Sequence, residues 1–243
     1  NASASTTRLA GIYDAATAPE ITANIQIILD YSGSMKFRYA DTDGDGNTDT
    51  KYQDLQTEVV KNLINRVSEE VSDPRFQLIG FTSRAGVISP WSNAQKTIQA
   101  LEEYSSSGGT NYQAAITTAM DNWGDNGKQT EGDVKNLVFF TSDGSPRPSA
   151  DSLQASWEQF TIDNGINSFA LGIGNAAPVR YLEAIDYDGV NDQERAGSSY
   201  DPDGGAYVVS DPAQLEAIIN TILDETITGN RVPSYLEVGG DSV

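Results

Sequence analysis

The chain contains neither cysteine nor histidine among its 243 residues. The absence of cysteine excludes disulfide bonds, thiolate metal sites and cysteine nucleophiles. The absence of histidine excludes the Ser-His-Asp triad, histidine general bases and the usual zinc sites. Any metal-binding or catalytic chemistry must therefore rely on oxygen atoms.

Basic residues are scarce, with 15 lysines and arginines against 35 aspartates and glutamates and a net charge of −20. Such a chain should repel nucleic acids and anionic membrane surfaces, and should attract divalent cations or basic partners. The alternative explanation is a general acidic coat suited to salty surroundings, where salt screens the self-repulsion. We therefore expect no nucleic-acid partner.

A long apolar run is also missing, because no stretch approaches the roughly 20 residues that a membrane-spanning helix needs. We therefore expect no direct membrane insertion. Residues 1–20 lack an initiator methionine, a basic start and an apolar segment. A signal peptide has a basic start and an apolar segment, so residues 1–20 do not form one. With the initiator methionine also missing, we expect the sequence to be a segment of a larger multidomain chain.

Apolar stretches typical of buried strands alternate with stretches of helical periodicity. The predicted strands are 25–30, 76–81, 85–91, 136–141, 166–174 and 206–209, and the strand 85–91 is expected to form a hairpin with 76–81. The predicted helices are 53–71, 93–104, 111–123, about 149–163, a short helix opened by Pro178, and one that begins at the capping box of 211–214. This alternation favours an α/β fold with a mostly parallel sheet and helices on both faces.

The predicted domain spans 20–230, between a ragged N-terminal segment at 1–19 and a C-terminal extension at 231–243. Two stretches within it, 36–50 and 187–205, are rich in glycine and aspartate and too polar for a core. We interpret both stretches as surface insertions.

Oxygen-bearing side chains gather where the predicted strands end. Asp30 ends the first strand in IILDYSGSM, and Ser32 and Ser34 follow it closely. Asp143 follows the strand at 136–141, and Thr110 comes after a Gly-Gly pair at a helix start. In an open parallel sheet, the ligand crevice lies at the carboxyl ends of the strands. Two carboxylates and three hydroxyls at that edge suit Mg²⁺, Mn²⁺ or Ca²⁺.

The combination of Asp30-x-Ser32-x-Ser34, Thr110 after Gly-Gly and Asp143 in Ser-Asp-Gly resembles the metal-ion-dependent adhesion site (MIDAS) of von Willebrand factor type A domains. The resemblance extends through the order of elements over nearly the whole chain. It implies a doubly wound, Rossmann-like fold with one short antiparallel edge strand. It also implies that these five residues bind Mg²⁺ or Ca²⁺, some through water, and that a partner offers a carboxylate to the ion. The alternative is that the three hydroxyl residues only cap helices and turns.

The first insertion contains the aspartate-rich sequence DTDGDGNTD at 41–49. It matches the first nine positions of an EF-hand-like calcium loop, with glycine at the sixth position for the sharp turn. Tyr52 stands where the pattern has a bidentate glutamate, so an acid such as Asp54 must close the site. The expected Ca²⁺ ligands are Asp41, Asp43, Asp45, Asn47, Asp49 and Asp54. The alternative is a bare acidic loop.

The second insertion carries four aspartates, at spacing that matches no familiar calcium loop. They are Asp188, Asp192, Asp201 and Asp203. A further calcium site and a plain solvated loop are both compatible with this sequence.

An acidic, cysteine-free domain with a calcium loop is similar to the von Willebrand factor type A module of giant bacterial RTX adhesins. This similarity implies a secreted, extracellular protein of the cell surface, with a role in biofilms. We expect a non-enzymatic module that binds a carboxylate of a protein or glycan through its metal ion and is stabilised by Ca²⁺. The alternatives are a metal-assisted phosphoester hydrolase, a calcium-rigidified spacer with a vestigial site, and the metal-binding subunit of a chelatase ATPase.

Overall fold

The computed structural model describes residues 21–41, 45–103, 107–124, 126–174, 179–192, 206–209 and 212–227. The strands are β1 (Ile21–Asp30), β2 (Tyr39–Ala40), β3 (Thr50–Lys51), β4 (Arg75–Phe81), β5 (Ala85–Ser92), β6 (Asp133–Ser142), β7 (Ile166–Ile173), β8 (Tyr187–Asp188) and β9 (Tyr207–Val209). The helices are α1 (Gly33–Phe37), α2 (Tyr52–Glu70), α3 (Ala94–Glu102), α4 (Tyr112–Asp121), α5 (Gln154–Asn164), α6 (Val179–Leu182) and α7 (Pro212–Thr226).

A seven-stranded sheet forms the centre of the domain, in the order β5-β4-β1-β6-β7-β8, with β9 also paired to β7. Strands β4, β1, β6, β7 and β9 are parallel, whereas β5 and β8 run antiparallel to their neighbours. The order reverses at β1, where the chain crosses from the β4 side to the β6 side. In an open α/β sheet, this switch point is where ligands bind.

Helices cover both faces of the sheet because its central strands are apolar on both sides. Helices α2, α3 and α7 bury residues such as Leu63, Leu101 and Ile222 against one face. Helices α4, α5 and α6 bury residues such as Ile116 and Trp157 against the other. This confirms the predicted fold class, a mostly parallel sheet between two layers of helices.

The edges of the sheet differ in detail from the prediction. The antiparallel strand β5 lies at one edge as expected, but β8 adds a second antiparallel strand, in which Tyr187 and Asp188 pair with Ser168 and Asn167. Both residues of β8 are buried, so position 187 belongs to the sheet and not to a surface insertion. Helix α5 begins at Gln154, after a single 3₁₀ turn at Asp151–Leu153, and not near 149.

Several predicted segments lie outside the described residues. They are the terminal segments 1–19 and 231–243, residues 20 and 228–230 of the predicted domain, residue 104 of the helix 93–104, Pro178, Asp211 of the capping box, residues 193–205 of the second insertion and residues 42–44 of the first. Among the helices that are described, none combines the length and the apolar character needed to cross a bilayer.

Strand β8 is held by a close approach between backbones at Gly189. The Gly189 amide donates to the Ile166 carbonyl at 2.9 Å, and a Cβ at this position would lie 2.4 Å from the carbonyl carbon of Thr161 in α5. We expect Gly189→Ala to lower the free energy of unfolding by about 1–3 kcal/mol, because overpacking forces the backbone to shift. Gly86→Ala in β5 is the matched control, since a Cβ there meets no atom within 4 Å. Urea denaturation of both variants tests this, and equal stabilities would contradict it.

Candidate metal centre

The two carboxylates predicted to bind a metal lie at the carboxyl ends of adjacent strands. Asp30 is the last residue of β1, and Asp143 directly follows Ser142, the last residue of β6. These strands are paired in parallel, with Leu29 opposite Thr141, so both carboxylates reach the same edge of the sheet. Both are fully buried, at 0% exposure.

The amide of Ser32 and the hydroxyls of Ser32 and Ser34 connect the two carboxylates. The Ser32 amide donates to Asp30 Oδ1 at 2.7 Å, and the hydroxyls of Ser32 and Ser34 lie 2.9 Å apart. The Ser34 hydroxyl donates to Asp143 Oδ1 at 2.7 Å. Four of the five predicted ligands therefore form one continuous chain of hydrogen bonds.

Thr110 lies on a loop that is bonded to the loops of both carboxylates. The amide of Gly33 donates to the Gly108 carbonyl at 2.9 Å, and the amide of Ser107 donates to the Tyr31 carbonyl at 2.8 Å. The amide of Arg147 donates to the Thr110 carbonyl at 2.7 Å. A Cβ at position 33 would lie 3.4 Å from the Gly108 carbonyl oxygen, an ordinary van der Waals distance, whereas Gly108 has a φ of +94° that favours glycine. Thr110 itself is half-buried beside the other four residues' loops.

Three further residues, which no sequence motif marks as part of the site, hold Asp30 and Asp143 in place. The Ser142 hydroxyl donates to Asp30 Oδ2 at 2.5 Å. Gln56 of α2 donates to the Asp30 carbonyl at 3.1 Å. Arg38 Nη1 donates to the Asp143 carbonyl at 2.7 Å. Ser142 could have been noticed as an oxygen beside Asp143, but neither Gln56 nor Arg38 stands in a recognisable motif.

The electrostatics of the site favour a bound cation. Burial raises the pKa of Asp30 to about 6, although hydrogen bonds from Ser142 and Ser32 lower it. Burial also raises the pKa of Asp143, against the lowering effects of the Ser34 hydrogen bond and Arg38. Removing a carboxylate from water is costly unless donors or cations compensate it.

One carboxylate oxygen marks where such a cation fits. Asp143 Oδ2 is buried and accepts no hydrogen bond from the described residues, and it lies 3.4 Å from Arg38 Nη1. The surrounding donors are carboxylate and hydroxyl oxygens, the ligands that hard divalent cations prefer. Asp30, Ser32, Ser34 and Asp143 therefore fit a divalent metal ion, and Thr110 stands on the adjoining loop.

The acidic loop at 41–49 extends from a small hairpin formed by β2 and β3. Gly46 has a φ of +89°, the left-handed conformation that suits the sixth position of a calcium loop. Its amide donates to Asp41 Oδ2 at 2.9 Å, while Asp45 accepts two bonds from Asn47. No group of three acidic side chains able to hold a metal occurs within the described ranges, and Asp43 lies outside them. Calcium binding by this loop stays a prediction.

Asp49 and Asp54 lie at the base of this hairpin. The Asp49 amide donates to the Ala40 carbonyl at 3.1 Å, which closes the loop. Asp54 lies in the first turn of α2 and borders a groove between α2 and α3 together with Lys61 and Glu102.

The described aspartates of the second insertion have structural roles. Asp188 accepts hydrogen bonds from the amides of Val190 and Asn191 and from the Asn191 side chain. Asp192 accepts a bond from the Tyr187 hydroxyl at 2.9 Å. These bonds stabilise the turn that follows β8. Asp201 and Asp203 lie outside the described residues.

The family model of the von Willebrand factor type A domain matches residues 24–221 of the chain. No curated protein sequence matches it significantly. Solved structures do match, among them proximal thread matrix protein 1 from the mussel byssus with a zinc-occupied MIDAS motif, which is 17% identical with a TM-score of 0.61. That match covers 85% of this chain and 49% of the mussel chain.

Two bacterial structures are also similar. A von Willebrand factor type A protein from Catenulispora acidiphila is 17% identical with a TM-score of 0.57, and the match covers 85% of this chain and 43% of that one. The protein BatB from Bacteroides thetaiotaomicron is 19% identical with a TM-score of 0.54, and the match covers 82% and 97%. At these identities the likeness shows the fold alone. The chain spans about half the length of the mussel protein.

The hydrogen bond from Ser142 to Asp30 yields a first test of the site. We expect Ser142→Ala to weaken Mn²⁺ binding by about 10- to 100-fold, because groups that orient metal ligands contribute affinity of this order. The matched control is Ser89→Ala, which removes a buried hydroxyl in β5, away from the site. Isothermal titration calorimetry with Mn²⁺ gives the affinities, and thermal melts verify folding. Unchanged affinity in folded Ser142→Ala would show that this bond does not position Asp30.

Proposed function

The chain belongs to the von Willebrand factor type A family, and we propose that it is a non-enzymatic adhesion module whose metal ion binds a partner's carboxylate. The proposed metal ligands are Asp30, Ser32, Ser34, Thr110 and Asp143. Domains of this family are generally interaction modules. What we propose beyond this is which residues bind the metal, which metal they bind and which chemical group of the partner contacts it.

The observation that carries the proposal is the pair of buried carboxylates joined by serine hydroxyls. Asp30 and Asp143 have no exposure to solvent, and Ser34 donates to Asp143 at 2.7 Å. The remaining metal ligands are neutral hydroxyls, so only the two carboxylates offset the positive charge of the ion. When bound, a divalent ion would supply a positive centre with a coordination position open to an anionic ligand. The residues of the chain orient the oxygens and exclude water from them.

Mg²⁺ or Ca²⁺ is the proposed ion, since both prefer oxygen ligands. The zinc in the mussel protein is a property of that protein. With no histidine or cysteine in the chain, the donor set here offers nothing that favours zinc.

The proposed partner is a protein or glycan that offers a carboxylate to the ion. A net charge of −20 disfavours nucleic acid as the partner. We further propose that the domain is part of a larger multidomain protein that acts outside the cell. This is consistent with the mussel byssus protein, of which the matched region covers 49%.

We also propose that the loop at 41–49 binds Ca²⁺ and stabilises the domain. The proposed ligands are Asp41, Asp43, Asp45, Asn47, Asp49 and Asp54. The support is the sequence pattern and the positive φ of Gly46. Because β2 begins two residues after α1, the helix that contains Ser34, a rigid hairpin would also steady that edge of the sheet.

The narrower proposal is the von Willebrand factor type A module of a secreted bacterial RTX adhesin, at the cell surface and in biofilms. Its support is compositional, namely the acidic chain without cysteine and the calcium-loop sequence. Extracellular Ca²⁺ is abundant enough to fill a weak loop of this kind.

Thr110 tests the adhesion site because it is half-buried and lies at the rim of the domain. We expect Thr110→Ala to lower Mn²⁺ affinity by about tenfold or more, with a correspondingly smaller effect of bound Mn²⁺ on the NMR relaxation of acetate, used as the carboxylate probe. The control is Thr117→Ala, on the exposed face of α4. Asp30→Ala should abolish both signals.

The same variants separate adhesion from hydrolysis. If the NMR relaxation of acetate in the presence of the Mn²⁺-loaded protein is the same with and without EDTA, acetate does not bind through the metal ion and the proposed mode of binding is wrong. If the Mn²⁺-loaded protein hydrolyses p-nitrophenyl phosphate and Thr110→Ala removes that activity, the hydrolase alternative is correct.

The calcium loop predicts a change in stability. Bound Ca²⁺ adds RT ln(1 + [Ca]/Kd) to the free energy of unfolding, about 2.7 kcal/mol at one hundred times Kd. This amounts to a rise of roughly 5–10 °C in Tm for a domain of this size. We expect Asp43→Ala with Asp45→Ala to remove most of the rise, as measured by calorimetry with and without Ca²⁺. If this double variant keeps the full shift and Asp30→Ala loses it, the loop holds no stabilising ion.

A further inference from the structure

Four exposed basic side chains lie on the loops that build the metal centre. Lys36 lies in α1 and Arg38 directly follows it, on the connection after β1. Arg84 lies in the turn after β4, and Arg147 lies on the loop after β6. All four are exposed. We call this set the cationic rim.

The loops of the cationic rim are joined to one another. The Asn111 amide donates to the Thr82 carbonyl at 2.9 Å, and the Gly109 amide donates to the Ser83 hydroxyl at 3.0 Å. The loop of Thr110 is in turn bonded to the loops that carry Lys36 and Arg147, as described above. The four cations therefore lie on neighbouring loops at one edge of the sheet, although they come from three separate connections.

The cationic rim is positive in a chain whose net charge is −20. In the described loops 31–38, 82–84, 107–111 and 143–150, the only acidic residue is Asp143, which is fully buried. The solvent-facing charge of these loops is therefore entirely basic. Opposite charge is carried by the acidic loop at 41–49 and by the exposed Asp151, which directly follows the loop 143–150. Ca²⁺ bound at 41–49 would neutralise part of it.

The opposite edge of the sheet carries the opposite charge. Its loops precede the parallel strands or follow the helices, and their exposed charged residues are acidic. The exposed acids of this edge include Asp73, Asp121, Glu131, Asp133, Asp163 and Asp192. The charges of the domain are thus separated between the two edges, and this separation gives the domain an orienting field.

The rim cations are available to a ligand. Lys36, Arg84 and Arg147 form no ion pair with any residue in the described part of the chain, and Arg38 approaches only Asp143. Elsewhere, Lys61, Arg66, Arg75 and Lys135 are each paired with a carboxylate.

Exposed aromatic side chains stand beside these cations. Phe37 is 75% exposed and Tyr39 is 43% exposed, and both flank Arg38 in the chain. An exposed phenylalanine next to a metal site suits contact with an apolar side chain of a partner.

We propose that the cationic rim binds an acidic peptide segment, in which one carboxylate binds the metal and neighbouring carboxylates contact Lys36, Arg84 and Arg147. An apolar side chain of the same segment packs on Phe37. Arginine suits this role because its planar guanidinium can pair with a carboxylate through two parallel hydrogen bonds. The inference rests on the proposed function and specifies the partner of the same site.

The test compares two fluorescent peptides of equal length, one glutamate-rich with a single phenylalanine and one with a single glutamate. Binding is measured by anisotropy in Mg²⁺ and in EDTA, at two salt concentrations. The rim variant combines Lys36→Gln, Arg84→Gln and Arg147→Gln. The control variant removes the same charge elsewhere and combines Lys61→Gln, Lys96→Gln and Lys135→Gln. Mn²⁺ affinity and thermal melts are recorded for all proteins.

We expect the wild type to prefer the glutamate-rich peptide, and the rim variant to bind that peptide about tenfold more weakly, or about 1.4 kcal/mol. Peptide binding by the rim variant should also depend less on salt concentration than binding by the wild type. The control variant should bind like the wild type, and Mn²⁺ binding should not be weakened in either variant, because removing positive charge beside a cation site cannot reduce the attraction of the cation. Phe37→Ser should reduce binding only of the peptide that contains phenylalanine.

Equal peptide affinities of the rim and control variants would overturn the inference, as would equal binding of the two peptides by the wild type. If the wild type binds polygalacturonate through the rim but neither peptide, the choice of a peptide partner is wrong. If EDTA leaves peptide binding intact while the rim variant still weakens it, the rim binds acids without the metal. In that case the proposed function fails and the cationic rim stands as a separate site.

Discussion

Two carboxylates are buried at the ends of neighbouring strands, and the loops around the candidate metal centre are arranged to stabilise them. Asp30 and Asp143 are both fully buried. Burial raises the pKa of each carboxyl group, and the charge of Asp143 raises the pKa of Asp30 further. Hydrogen bonds from Ser142, Ser32 and Ser34, with the guanidinium of Arg38, offset part of that cost. Because neutral donors and small residues are needed at close range, the surrounding loops consist largely of serine, glycine and threonine. A divalent ion at Asp143 Oδ2 would complete this compensation.

The central strands could be predicted because parallel strands that are buried on both faces consist of continuous apolar residues. The apolar runs within β1, β4, β6 and β7 all became strands of the sheet. Strand β8 could not be predicted, since Tyr187 and Asp188 are too few and too polar to show a period. They join the sheet through pairing with β7 and through the close approach of Gly189 to α5, and both are tertiary effects. The start of α5 was placed too early because the turn at Asp151–Leu153 continues directly into the helix.

In the metal centre too, local sequence patterns could be predicted, whereas contacts that depend on tertiary structure could not. The grouping of Asp30 with Ser32 and Ser34 is local, and its proximity to Asp143 follows from two parallel strands that end at one edge. Ser142 contacts Asp30 only because the register sets Leu29 opposite Thr141, and register cannot be read from one sequence. Arg38 reaches Asp143 across 105 positions of the chain. Such contacts depend on how the side chains are directed after the loops have folded.

The loops around the site are held together mainly by backbone atoms. The bonds from Gly33 to Gly108, from Ser107 to Tyr31, from Arg147 to Thr110 and from Asn111 to Thr82 all join amides to carbonyls. Such bonds do not involve the side chains, although they exclude proline at the donor and Gly108 has a φ of +94° that favours glycine. The exposed side chains of this edge can therefore diverge between relatives, or be randomised in a display library, while the geometry beneath them is preserved. The domain thus separates recognition from architecture, as antibody loops do on their sandwich.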